Sequence, residues 1–425
     1  MIKKIIPQTE FSKNVANVVG GTLISQLITI SLSPVLSRIF SPADFGLYSI
    51  FINLAATTAV VSTFRYEFAV MLPKKDEEAI NVVSLSFLIT ALYSLAVFLI
   101  FQLSGRALLA LIHSEEIESY IPFVALYVFF FGAMNTLNYW LSRVKKFRQL
   151  SYGKVAQSTG TALFSIVFFY FGRNHGGLII GAVLGQVSIG VLYLIFFRGD
   201  WLRLKAQVSW MKMKELFNRY IHFLSFNTPH SLLNVGQDLM VAALIKYYFG
   251  SEAAGFFFLS YRILKLPAGI ISSATGQVFF QRVSELYPDA DAMQHQITKV
   301  YKKLFLYSIP IFGTVLIGGP VLFSLVFGGD WREAGVYSQI LSPTLMMAFI
   351  LGPVSMIAVV VKMQHYNMLI GIADIIIRTV SLIIGGIYNS IYLGLGLMAA
   401  GTSLLLLFNM YWFYHLPKNK KVKSY

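Results

Sequence analysis

Three ionisable side chains lie inside long apolar stretches of the sequence, at Asp238, Arg262 and Lys265. An unpaired charge near the centre of a lipid bilayer costs at least about 2.5–3.5 kcal/mol, even on the most lenient insertion scale. These groups therefore need water or an opposite charge around them. Two readings stay open at this point: the two cations contact an anionic ligand, or one of them forms a buried ion pair with Asp238.

Polar side chains recur at helical spacing in four apolar segments, which fall near residues 15–36, 45–64, 221–247 and 255–281. Such a stripe marks a helix face that is turned towards protein or water rather than lipid. Its Gly, Ser and Thr positions are equally well explained by helix packing. The larger polar and charged members are the candidate substrate-binding residues: Asn17, Asn53, Asn227, Asn234, Asp238, Arg262 and Lys265.

Two other patterns indicate packing rather than binding. Asp374 and Arg378 are four residues apart, so they can pair on one face of a helix, and we predict a structural ion pair there. Gly177, Gly181 and Gly185 repeat every fourth residue, which predicts a close helix–helix seam.

Motifs of soluble enzymes are absent or out of place. The glycine pattern at Gly394–Ala399 resembles a dinucleotide-binding loop, but it lies in an apolar helix with no preceding strand. The sequence has no P-loop, no His-Glu-x-x-His motif and no cysteine. We therefore expect no enzymatic activity and no cofactor, and a transport activity would depend on a proton or sodium gradient.

The composition predicts that most of the chain lies in lipid. Of its 425 residues, 56% are hydrophobic and 12% are charged, about half the usual charged share. We therefore predict an all-α polytopic membrane protein. Twelve apolar segments are long enough to span a bilayer: 15–36, 45–64, 79–103, 119–141, 155–172, 177–197, 221–247, 255–281, 303–327, 335–361, 367–388 and 391–416.

Basic residues are distributed very unequally between the two sides of these segments. Of the 34 Lys and Arg residues, 26 fall on the side of the N-terminus, five on the other side and three within helices. The positive-inside rule then places both termini in the cytoplasm. The net charge of +15 is thus mainly an orientation signal that also attracts anionic membrane lipids, and we expect no nucleic-acid partner.

A short internal repeat suggests that the chain consists of two similar halves. Phe40–Gly46 and Phe249–Gly255 each run from Phe to Gly over the same length, 209 residues apart, each leading into an apolar segment. We infer two six-helix lobes around a central cavity, formed by residues 1–205 and 206–425.

The N-terminal quarter resembles a known family. The resemblance rests on Asn17-Val-Val-Gly-Gly21, on the run from Pro34 to Tyr48, which contains Phe-Ser-Pro-Ala-Asp-Phe-Gly, and on Arg65-Tyr-Glu-Phe-Ala-Val-Met-Leu-Pro-Lys74. These motifs are similar to those of the polysaccharide transporter family of lipid-linked oligosaccharide flippases, the O-antigen type. Drug/cation antiporters and the lipid II flippase belong to the same superfamily. We read the motifs around Arg38 and Arg65 mainly as lobe architecture.

The resemblance implies alternating access and a cargo of polyprenyl-pyrophosphate-linked oligosaccharide. The cargo would be moved from the inner to the outer leaflet of a bacterial inner membrane for surface polysaccharide synthesis. Its expected protein partners are a polysaccharide polymerase and a chain-length regulator. Two alternatives remain. A drug/cation antiporter would use Asp238 as a cation site, although two nearby cations would repel its substrate. A membrane polysaccharide polymerase would be expected to carry a sizeable external loop, which this sequence lacks.

Overall fold

The computed structural model describes residues 10–172, 174–224, 228–287, 289–361, 363 and 365–418. Every regular element in this part of the chain is helical, which confirms the all-α prediction. The physical reason is that lipid offers no hydrogen-bond partners, so a helix must satisfy its backbone groups internally.

The described part of the chain contains fourteen α-helices, which are joined by short 3₁₀ and π turns. The first seven are α1 Glu10–Ile39, α2 Pro42–Ala59, α3 Asp76–Leu111, α4 Ile121–Arg143, α5 Phe147–Tyr170, α6 Asn174–Leu204 and α7 Trp210–Arg219. The others are α8 Thr228–Leu286, α9 Ala290–Ser308, α10 Thr314–Phe327, α11 Arg332–Leu351, α12 Ile357–Val360, α13 His365–Ile387 and α14 Ile391–His415.

Helix α8 is two helices that meet at a kink. Gly250 has φ 88° and ψ 174°, a backbone conformation that is readily adopted only by glycine. The predicted spans 221–247 and 255–281 therefore correspond largely to the two parts of α8, before and after this glycine.

Eight stretches are long and apolar enough to cross a membrane, judged over the described residues. They are Val19–Ile39, Asp76–Ala110, Glu115–Arg143, Gly176–Gln207, Ala290–Phe327, Gly329–Leu351, Met368–Ile387 and Ile391–Lys418. The other four predicted spans coincide largely with α2, α5 and the two parts of α8, whose polar side chains lower their mean hydropathy. The chain is thus a multi-pass membrane protein, and the number of twelve spans stays a prediction.

The chain forms two compact units. The first contains Met1–Phe40 and Leu47–Leu239, and the second contains Ser41–Gly46 and Met240–Tyr425. The boundary between the two units thus lies within α8, between Leu239 and Met240. The predicted lobe boundary at residues 205 and 206 stays a prediction.

In the first unit, the glycine seam forms as expected between α5 and α6. An added Cβ on Gly185 would lie 2.9 Å from the Gln157 carbonyl oxygen, and one on Gly181 would lie 2.7 Å from the Thr161 carbonyl oxygen. The two backbones approach each other so closely that only hydrogen fits at these positions.

Helix α7 is fastened to α3 in the same unit. The amide of Asn81 donates to the carbonyl of Gln207 at 3.0 Å and accepts from the backbone N–H of Ser209 at 2.8 Å. The hydroxyl of Tyr66 donates to the carbonyl of Phe217 at 2.8 Å, and burial raises the pKa of this phenol to about 12. The Tyr66 hydrogen bond holds the turn Tyr66–Met71, which follows α2, against α7.

Candidate functional site

Two cations lie on aromatic rings in the second part of α8. The Lys265 ammonium is 4.9 Å from the centre of the Tyr261 ring, and the Arg262 guanidinium carbon is 5.7 Å from the centre of the Phe258 ring. A ring face attracts a cation without neutralising it. Lys265 is exposed and Arg262 is half-buried, and neither forms an ion pair with a carboxylate in the described part of the second unit. Neither ring supplies a negative charge, so both cations can bind a further anionic group.

Tyr261 also connects Lys265 to a buried polar network. The Arg378 guanidinium interacts electrostatically with Tyr261, and its Nε donates to Asp374 Oδ2 at 2.8 Å. The Thr402 hydroxyl donates to the other oxygen of Asp374 at 3.0 Å. The side chains of Asp374 and Arg378 are only 17% and 13% exposed. This geometry confirms the predicted ion pair and leaves Asp374 already neutralised.

The remaining predicted site residues lie elsewhere or outside the described residues. Asn17 lies in α1, and Asn53 is half-buried in α2. In the first part of α8, Asn234 is exposed and Asp238 is half-buried. Asn227 falls outside the described residues. The first unit contains Asn17, Asn53, Asn234 and Asp238, whereas the second contains Arg262 and Lys265. The structure brings Arg262 and Lys265 together on one helix, and a single site that includes all of these residues stays a prediction.

The first unit contains a charged network that the sequence interpretation missed. Glu67 is buried, and its carboxylate accepts from the Thr63 hydroxyl and from Arg65 Nη1, the latter at 3.3 Å. Arg65 Nε donates to the Ser231 hydroxyl at 3.0 Å, and its guanidinium lies 5.4 Å from the centre of the Phe68 ring. Arg65 therefore links the turn that follows α2 to the start of α8 within this unit.

The backbone that presents this network is strained. Phe64 and Arg65 have φ values of 48° and 64°, the left-handed region that non-glycine residues rarely adopt. Each such residue costs on the order of 1–2 kcal/mol, and strain of this kind tends to persist where surrounding contacts or function require it. A signal was present in the sequence: an Arg and a Glu two residues apart, set among apolar residues directly after a predicted span.

The chemistry available in both networks is electrostatic. Among the described residues, no group of three or more His, Asp and Glu side chains could hold a metal ion. What the residues offer is positive charge held on aromatic rings and supported by hydroxyl groups, an arrangement that suits reversible binding of an anion.

Comparison with known proteins agrees with this picture. Residues 35–336 match the family model described as polysaccharide biosynthesis protein. The teichuronic acid biosynthesis protein TuaB of Bacillus subtilis (strain 168) is 20% identical over 288 residues, which are 67% of this chain. The match spans 58% of that relative's own length.

Solved structures of membrane transporters share the fold. The lipid II flippase MurJ in an inward closed conformation superposes with a TM-score of 0.74 at 12% identity, covering 95% of this chain and 88% of that one. An inward-facing multidrug resistance MATE family transporter superposes with a TM-score of 0.62 at 12% identity, covering 96% and 95%. At these identities the likeness concerns the fold alone.

Proposed function

This chain belongs to the polysaccharide biosynthesis protein family, and from that membership we propose that it is a flippase for polyprenyl-pyrophosphate-linked oligosaccharide. It would move the repeat unit from the inner to the outer leaflet of a bacterial inner membrane by alternating access. Twelve spanning helices in two six-helix lobes, with both termini cytoplasmic, complete the proposal. A proton or sodium gradient would drive the movement, and a polysaccharide polymerase and a chain-length regulator would act on the product.

The observation that carries this proposal is the pair of cations at Arg262 and Lys265. The pyrophosphate and sugars of the cargo cannot enter hydrocarbon, whereas its polyprenyl tail can remain in lipid. Lys265 lies near the middle of the predicted span 255–281, too deep for its ammonium to reach the interface easily. An anionic cargo group at this depth would supply the opposite charge that neither cation finds among the described residues of the second unit.

The fold does not distinguish a flippase from a drug/cation antiporter, because its structural neighbours include both a lipid II flippase and MATE transporters. The side chains favour the flippase. Two cations without a carboxylate partner in the described part of their unit would repel a cationic drug, and the carboxylate of Asp374 is already bound to Arg378.

Reconstitution tests the proposal directly. The purified chain is placed in liposomes that carry a polyprenyl-pyrophosphate-linked oligosaccharide labelled in one leaflet, and the labelled sugar that reaches the other leaflet is measured with an impermeant lectin. We expect transfer that depends on the protein. Transfer of a labelled organic cation without transfer of the lipid-linked sugar would contradict the proposal and favour the antiporter.

A gene deletion separates the flippase from the polymerase. Loss of a flippase leaves lipid-linked repeat units in the cytoplasmic leaflet, where an impermeant lectin added to intact spheroplasts cannot reach them. A deletion strain that exports single repeat units but does not polymerise them would identify the polymerase instead.

A further inference from the structure

A groove runs along α6 on the side that faces α3 in the first unit. Its volume is about 570 Å³, and its walls are mainly apolar, formed by Phe87 of α3 and by Val191, Leu194, Ile195 and Phe197 of α6. Of these side chains, Ile195 is 60% exposed and Val191 is 41% exposed. None of the residues assigned above to anion binding lines this groove.

One end of the groove is positively charged. Arg198 and Trp201 are three residues apart, so they lie on the same side of α6, and both line the groove there. In the described part of the chain no carboxylate pairs with Arg198, which is exposed. The nearby carboxylate of Asp200 is already engaged, because its Oδ2 accepts from Lys146 Nζ at 2.8 Å and from Trp140 Nε1 at 3.0 Å.

This combination of surfaces matches one kind of molecule. An apolar channel in a membrane protein accepts a hydrocarbon chain, tryptophan prefers the level of the lipid headgroups, and an unpaired arginine attracts a phosphate. We propose that the groove is a binding site for an anionic phospholipid, with one acyl chain between α3 and α6 and the headgroup phosphate on Arg198.

The dimensions favour a membrane phospholipid over the longer polyprenyl tail of the proposed cargo. From Val191 to Trp201 the helix advances about 15 Å, at about 1.5 Å per residue. A single leaflet of a bilayer has a hydrocarbon depth of about 15 Å, half of the usual thickness of about 30 Å. One acyl chain fills such a groove from end to end, whereas a polyprenyl tail would extend well beyond it.

The inference concerns lipid around the transporter and does not depend on what the transporter moves. Native mass spectrometry of the purified full-length chain measures it, with phosphatidylglycerol and phosphatidylethanolamine titrated separately. An arginine near a membrane surface contributes about 1 kcal/mol to the attraction of an anionic lipid, which corresponds to about a fivefold change in affinity. We therefore expect Arg198→Gln to weaken phosphatidylglycerol binding about fivefold and phosphatidylethanolamine binding much less, because the ammonium group of phosphatidylethanolamine offsets the charge of its phosphate.

Matched variants control for charge and for bulk. Arg203→Gln removes the same charge from the last turn of α6 but lies outside the groove, so its phosphatidylglycerol affinity should equal that of the parent. Val191→Phe should block the groove, whereas Val167→Phe on α5, where Val167 is 44% exposed, should not.

Two results would overturn the assignment. One is equal phosphatidylglycerol affinity in Arg198→Gln and Arg203→Gln, which would reduce the effect to general surface charge. The other is displacement of phosphatidylglycerol by an equimolar amount of polyprenyl phosphate in the parent chain but not in Val191→Phe, which would assign the groove to the cargo tail. A failure to transport oligosaccharide would leave the lipid result unaffected.

Discussion

Gly46 and Gly255 pack against each other reciprocally. An added Cβ on Gly46 would lie 3.2 Å from the backbone nitrogen of Gly255, and one on Gly255 would lie 3.0 Å from the backbone nitrogen of Gly46. The nearest atom is the carbonyl oxygen of Ser251 in the first case and that of Pro42 in the second. Gly46 and Gly255 are 209 residues apart, and so are Pro42 and Ser251, which is the offset of the two similar sequence segments. The internal repeat therefore forms a self-complementary contact.

Alanine at either glycine should therefore destabilise the protein. The atoms that an added methyl group meets belong to the backbone and cannot rotate away, so we expect Gly46→Ala and Gly255→Ala each to cost about 1–3 kcal/mol of unfolding free energy. The measurement is the thermal unfolding midpoint of the purified protein in detergent.

Gly396→Ala is the control for that pair. Gly396 lies within α14, and no atom outside its local helix backbone lies within 4 Å of a Cβ at this position. Alanine stabilises an open helix position by about 0.5–1 kcal/mol relative to glycine, so the midpoint should stay the same or rise. A drop in stability equal to that of the other two variants would show that any loss of glycine is harmful and that the reciprocal contact is not the cause.

Removing the Glu67 carboxylate should leave Arg65 without its partner. Breaking a buried ion pair by neutralising one member costs about 3–5 kcal/mol, because the other charge stays desolvated. We therefore expect Glu67→Gln to lower the unfolding midpoint strongly, and Arg65→Gln combined with Glu67→Gln to be less destabilising than the sum of the two single changes. Additive effects in this double-mutant cycle, measured by thermal unfolding, would show that the two side chains act independently.

The Asp374–Arg378 pair should behave as a structural element. Asp374→Asn leaves a buried guanidinium beside Tyr261, so we expect steady-state abundance in membranes to fall, and Arg378→Gln in the same chain to restore most of it. Quantitative immunoblotting of membrane fractions measures both. Normal abundance of the single variant together with lost transport would assign the pair to cargo handling or ion coupling instead.

Sequence patterns found the features that depend on neighbours along one helix. The Asp374–Arg378 pair follows from a spacing of four, and the α5–α6 seam follows from the repeat of Gly177, Gly181 and Gly185. The same spacing separates Tyr261 from Lys265 and Phe258 from Arg262, so both cation–aromatic contacts were within reach of the sequence.

Contacts between distant segments were not predictable in that way. The electrostatic interaction between Arg378 and Tyr261 joins α13 to α8, and the hydrogen bond from Arg65 to Ser231 joins residues 166 positions apart. Both depend on tertiary packing. The left-handed backbone at Phe64 and Arg65 was also hidden, because no glycine marks it. Arg65 and Glu67 were therefore overlooked as a network even though their sequence motif was noted.

Cysteine labelling tests the predicted orientation. The sequence contains no cysteine, so a single one can be introduced without background. Ser114 would be a poor probe position because it is buried, whereas its neighbour Glu115 and Asn218 of α7 are exposed. With an impermeant thiol reagent on intact spheroplasts, we expect Glu115→Cys to be labelled and Asn218→Cys to be protected until the membrane is opened. The reverse pattern would invert the topology.

Neutralising Lys265 should impair transport without impairing folding. Its ammonium is exposed and, among the described residues of the second unit, contacts only the Tyr261 ring. Lys265→Gln should therefore leave abundance and the unfolding midpoint nearly unchanged. A charge-assisted hydrogen bond to a phosphate contributes about 1.5–3 kcal/mol, so the rate of lipid-linked oligosaccharide transfer in liposomes should fall at least about tenfold.

Arg282→Gln provides the matched control for this experiment. Arg282 lies on the same part of α8, but it is exposed and pairs with Glu285 at 3.0 Å, an interaction that contributes little. Its loss changes the net charge as Lys265→Gln does, and transfer should continue at the parental rate. Because Arg262 lies three residues from Lys265 on the same helix, the variant with both residues changed to Gln should transfer no cargo. Transfer by that double variant at the parental rate would mean that neither cation contacts the cargo, and the anion-binding role would then have to be sought at Arg65.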